Sequence, residues 1–130
     1  MAGVYVDTSA LGRVLLGEPD APAILAALGG FEQHVASRLL RVELRRLGLR
    51  EGLLEEADQL VSAIALLPLD EALLAAAESV LPATVATLDA LHLVTAMRLA
   101  GEGLIDAVMT YDARLADGAR HYGLAVVAPA

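Results

Sequence analysis

The sequence predicts a single α/β domain, a short and mainly parallel central sheet flanked by about seven helices. Three observations predict it: β-type runs alternate with helical stretches from end to end, 57% of the residues are hydrophobic, and only four are aromatic. A core of Leu, Val, Ile and Ala suits helices packed on a sheet, and strands that alternate with helices pair in parallel through crossover connections. At 130 residues the chain forms one domain, 1–130, with no room for a second.

Val4-Tyr5-Val6 is a β-type run that stops at Asp7, and residues 9–16 read as a helix closed by Gly17-Glu18-Pro19. Asp20 is placed to cap a second helix over 21–28, which Gly29-Gly30 ends. His34-Val35-Ala36 is a second strand leading to Ser37, the next N-cap. Helices follow over 38–49, 53–66 and 71–81, the last stopped by Pro82, with 66–69 as a brief edge strand around Pro68. Residues 87–100 are helical, 107–110 a strand, 113–122 helical and 125–128 a closing strand.

The charge balance narrows the function classes. A net charge of −8 excludes a protein that grips nucleic acid through broad positive fields. All nine cations are Arg, however, and five of them, Arg38, Arg41, Arg45, Arg46 and Arg50, fall in one predicted helix. The absence of cysteine excludes disulfides and thiolate sites, so a metal would take oxygen or imidazole ligands, which favours hard cations such as Mg²⁺ or Mn²⁺. No uncharged stretch exceeds about eleven residues, too short for a membrane span. The start lacks the basic and long apolar regions of a secretion signal, so a cytoplasmic protein without membrane contact is expected.

Four carboxylates carry the candidate chemistry. Asp7 and Asp112 each stand where a strand gives way to a helix, the end at which open α/β sheets hold ligands; each also suits a plain N-cap. Glu43 falls between Leu39 and Leu47 on the apolar stripe of its helix, where an acid is costly unless it is paired, with Arg46 or Arg50 for instance, or bound to metal. Asp89 opens a helix that is apolar almost all round, and its alternative role is favourable interaction with the helix N-terminus. His92, one turn later, is either a further ligand or hydrogen-bonded structure. Ser9 and Thr110 are placed to assist, whereas Asp106 precedes its strand at the wrong end. Converging carboxylates repel unless a cation sits among them, and one or two divalent ions so held can polarise a phosphodiester and activate the attacking water.

The segments Val4-Tyr5-Val6-Asp7-Thr8-Ser9-Ala10-Leu11, Ser37-Arg38-Leu39-Leu40-Arg41-Val42-Glu43-Leu44, Leu88-Asp89-Ala90-Leu91-His92-Leu93-Val94-Thr95-Ala96 and Thr110-Tyr111-Asp112-Ala113-Arg114-Leu115-Ala116, in this order, resemble the PIN domains. Within that family they resemble the VapC-type toxins of bacterial toxin–antitoxin pairs. The resemblance spans nearly the whole chain. It implies a metal-dependent endoribonuclease, the toxin of a type II pair, with Mg²⁺ or Mn²⁺ at Asp7, Glu43, Asp89 and Asp112. It also implies a cognate VapB-type antitoxin that blocks the cleft, and a homodimer. Ala86 departs from the pattern, standing where many relatives carry a basic or polar residue. Two other readings compete: a phosphohydrolase-like α/β domain, which would want a second Asp where Ser9 stands, and a PIN-like binding module without catalysis.

Overall fold

A computed structural model describes residues 2–130. Its twelve elements alternate as expected: β1 (Gly3–Val6), α1 (Thr8–Leu15), α2 (Ala21–Leu28), β2 (Gln33–Ser37), α3 (Arg38–Glu51), α4 (Leu54–Ser62), β3 (Ala65–Leu67), α5 (Glu71–Ala77), α6 (Thr87–Gly101), β4 (Ala107–Met109), α7 (Ala113–His121) and β5 (Ala125–Val127). The sheet has strand order β3-β2-β1-β4-β5, and every pairing among the described residues is parallel. The chain therefore lays down β1, β2 and β3 in one direction, then crosses to β4 and β5 on the other side of β1. Where the order reverses, between β1 and β4, adjacent crossover helices diverge and leave a crevice at the carboxyl ends of the strands.

Strand alternation divides the core in two. Val4, Val6, Ala36, Ala107 and Met109 pack on the α1–α4 side with Leu11, Ile24, Leu40 and Leu44, while Tyr5 and Val108 face α6 and α7 with Leu93, Leu99 and Leu115. Leu44 is fully buried, so Leu44→Ala should lower the unfolding free energy by about 3 kcal/mol in a urea titration without changing the fold. Gly48 lets α3 and α4 approach closely, since a Cβ there would stand 2.9 Å from that of Ala57.

Two helices end well before the sequence reading places their ends, and one expected cap is not made. The helix expected over 53–66 ends at Ser62, releasing Ala65–Leu67 to pair with β2, and the helix expected over 71–81 ends at Ala77, several residues before Pro82. Asp20 precedes α2 but makes no side-chain cap; its carboxylate pairs with Arg13 at 3.0 Å instead. An ion pair to a cation that also stacks on Tyr111, 4.4 Å from the ring centroid, outcompetes a single amide.

Candidate active site

The carboxyl ends of β1 and β4 bring two of the acids together because the strands are paired in register. Val6 lies opposite Met109, so the residues that follow, Asp7 on one strand and Thr110 to Asp112 on the other, emerge side by side. A polar strap joins them. Ser9 Oγ donates to Asp7 Oδ2 at 2.6 Å and accepts from the Tyr111 amide at 2.8 Å. Thr110 Oγ1 donates to the same Asp7 oxygen at 2.8 Å and accepts from the Asp112 amide at 3.0 Å. With Asp7 and Thr110 both buried, the bond between them is formed away from competing water and fixes the carboxylate firmly.

Asp7 and Asp112 were each open to a capping role, and each does cap its helix, Asp7 accepting from the Ser9 amide at 3.4 Å and Asp112 from the amides of Arg114 and Leu115 at 2.9 and 3.2 Å. The cap uses only one oxygen in both cases, Oδ2 of Asp7 and Oδ1 of Asp112. Glu43 follows the same rule from the second turn of α3. Thr8 Oγ1 and His92 Nε2 both reach its Oε1, each at 2.7 Å. No hydrogen bond from the described residues falls on the second oxygen of any of the three, although His92 Nε2 stands 3.5 Å from Asp7 Oδ1. The Arg46 or Arg50 partner open to Glu43 from sequence does not materialise. Its neutralising contact comes from α6.

Asp89 lies in the first turn of α6, half-buried. Burial raises its pKa first, and the charge and close approach of the Asp112 carboxyl and the charge of Asp7 raise it further, against a smaller pull from His92, to about 6. Burial, and after it crowding by like charges, is the physical content of that shift. Glu43 goes the other way: burial would raise it, but the hydrogen bond and charge of His92 and the Thr8 hydroxyl together hold it below the ordinary carboxylate value. His92, almost wholly buried, would lose its proton by burial alone, yet the Glu43 hydrogen bond and the charges of Asp7, Glu43 and Asp89 leave its pKa raised. Both its ring nitrogens are engaged, Nδ1 with the Tyr5 hydroxyl at 2.6 Å, which favours hydrogen-bonded structure over metal ligation.

The acids do not close into a chelating shell. Among the described residues no three His, Asp or Glu side chains stand ready to share one ion. The donor set nevertheless fits a hard divalent cation. Three carboxylates are fastened through one oxygen with no hydrogen bond on the other, and a fourth is kept reluctant to ionise by burial and by the charge of its neighbours, a repulsion that a cation would relieve. Sequence reasoning overlooked two contributors, Thr8 and Tyr5. A hydroxyl beside an acid in Asp7-Thr8-Ser9 hinted at the first; nothing in an apolar strand distinguished the second. Asp106 lies at the opposite end, where it accepts from the Ala2 amide at 2.9 Å.

The likeness to known proteins spans the segments that hold these residues. The PIN domain model matches residues 4–121. Two relatives from Mycobacterium tuberculosis strains match almost end to end: Ribonuclease VapC47, 38% identical over 97% of this chain and 96% of its own, and Ribonuclease VapC46, 35% identical over 99% of each. A toxin–antitoxin complex from Klebsiella pneumoniae contains a chain of the same fold, TM-score 0.71 and 18% identity over 98% of both chains. With the family model covering all four acids and the relatives spanning the chain, this protein belongs to the PIN-domain family, in its VapC-type branch.

Proposed function

We propose that the protein is a metal-dependent endoribonuclease, the toxin of a type II toxin–antitoxin pair, with Mg²⁺ or Mn²⁺ held by Asp7, Glu43, Asp89 and Asp112. The observation that carries this reading is the half-used carboxylates: Asp7, Glu43 and Asp112 are each tied down through one oxygen, and the other remains for a ligand. Oxygen-only donors around concentrated negative charge suit a hard cation. A divalent ion bound there supplies neutralisation of the phosphoryl oxygens and a more acidic water. The chain's own contribution is to hold the acids still: Ser9 and Thr110 orient Asp7, the α7 amides orient Asp112, and His92 and Thr8 orient Glu43. Exposed Arg38, Arg41, Arg46 and Arg50 on α3 supply contacts for RNA or for the antitoxin on an otherwise acidic protein.

The names of the relatives, together with a structural neighbour from a toxin–antitoxin complex, support a cognate VapB-type antitoxin as partner, and the family resemblance supports a homodimer. No helix among the described residues is long and apolar enough to cross a membrane, in keeping with a cytoplasmic enzyme. The test is an RNA cleavage assay with Mn²⁺ against the same reaction in chelator. Cleavage should require the metal, and adding it back should restore the activity. A chain that leaves RNA intact under both conditions would be a binding module, and chelator-resistant cleavage would refute the metal site.

A further inference from the structure

We propose that His92 and Thr8 form a two-donor clamp on Glu43, fastening Oε1 to the protein so that Oε2 is presented to the cation; both are then positioning residues of the nuclease. The inference rests on the metal-dependent reading above and extends it to side chains that are not themselves ligands.

The clamp is built from three separate elements. Glu43 comes from α3, Thr8 from α1 and His92 from α6, and the two donors meet on one and the same oxygen at 2.7 Å each. An unheld Glu side chain, part-exposed as this one is, samples several rotamers, and fixing it costs on the order of 1 kcal/mol or more at the moment a ligand binds. Two donors from different directions remove that freedom beforehand. A carboxylate oxygen can only accept, so the hydrogen in the 2.7 Å contact belongs to His92 Nε2 whatever the charge on the ring.

The back of the imidazole is fixed as well. Tyr5 Oη stands 2.6 Å from Nδ1 and accepts from the Ser37 amide at 3.2 Å, with the Tyr5 and His92 rings edge-on at 73°. His92 is only 1% exposed. It is therefore sealed from RNA and solvent and reaches the site only through carboxylates, chiefly Glu43 at 2.7 Å, with Asp7 Oδ1 farther off at 3.5 Å. A ring needed only to fill space could be apolar at lower cost, because burying an imidazole demands partners for both nitrogens.

The experiment measures Mn²⁺ binding to the full chain, by calorimetry and by loss of the free-ion paramagnetic resonance signal, for the wild type and for Thr8→Val, His92→Leu, His92→Gln and Asp7→Asn. Thr8→Val and His92→Leu keep volume and remove a donor; His92→Gln puts an amide N–H where Nε2 stands. Thermal melts in chelator report folding. Loss of an orienting partner typically weakens metal binding about 10-fold to 100-fold, so Thr8→Val and His92→Leu should lie in that range, with His92→Gln recovering most of the affinity. Wild-type affinity in folded Thr8→Val and His92→Leu overturns the clamp, as does equal loss in His92→Leu and His92→Gln, which would mark packing as the cause. Should His92→Leu fail to fold, Thr8→Val decides alone, because its side chain is half-exposed. If the wild type binds Mn²⁺ and Asp7→Asn does not, failure of the clamp variants to lose affinity sinks the clamp only; a wild type without Mn²⁺ affinity sinks the metal site and the clamp together.

Discussion

Asp7→Asn is expected to abolish RNA cleavage, by roughly 100-fold or more, while leaving the melting temperature nearly unchanged. Asn caps helices as well as Asp does, and its carbonyl oxygen can accept from Ser9 and Thr110 where Oδ2 now accepts at 2.6 and 2.8 Å. The fold therefore keeps what it draws from this residue. What changes is the other atom: an amide nitrogen replaces Oδ1, putting a donor and no charge where the proposed site needs an acceptor. The measurement is paired, initial rates of RNA cleavage in Mn²⁺ and a thermal melt in chelator on the same preparation. Retained cleavage would remove Asp7 from the site, and a large fall in melting temperature would show that its charge is needed by the fold.

The contrast between the two oxygens of one carboxylate explains why sequence reasoning left cap and ligand as rival roles. From sequence, Asp7 and Asp112 each suit a helix cap and each suit a site residue, as if one role excluded the other. The structure gives the cap to one oxygen and leaves the other unassigned, so the choice was never exclusive. The fold was legible because its signals are local and repeated: β-runs stopping at Asp7 and Thr110, an N-cap at Ser37 that accepts from the Leu39 amide, and strand–helix alternation that permits little besides a parallel sheet. Helix ends were less so. Ala65 and Leu66 belong equally to a helical and a strand pattern, and pairing with β2, a tertiary effect, decides between them. The partner of Glu43 was hidden for the same reason. Arg46 is near in sequence, but His92, 49 residues away, is near in space, and periodicity on one helix says nothing about what the facing helix carries.

Asp89→Asn is expected to act on stability and on activity in opposite directions. Folded, Asp89 takes up its proton at about 6 against an ordinary value of 3.8, so the folded chain binds that proton more tightly than the unfolded one. Stability contributed by the protonated form is full below the unfolded value and is lost as pH rises through about 6. At pH 7 the ionised carboxylate is then a burden on the metal-free fold, pressed by Asp112 and Asp7. Solvent screens the charge of this half-exposed group, and the burden is about 1 kcal/mol. Asp89→Asn should accordingly melt about 3 °C higher than the wild type at pH 7 in chelator, with the gap closing as the pH is lowered toward 4. A cation reverses the order: a ligand at 100 times its Kd stabilises by about 2.7 kcal/mol, a gain open to the wild type and largely closed to the variant. The two melting curves should cross as Mn²⁺ is added, with RNA cleavage following the wild type alone. If Asp89→Asn is instead the less stable protein in chelator, the carboxylate serves the helix N-terminus, and its place among the metal ligands falls.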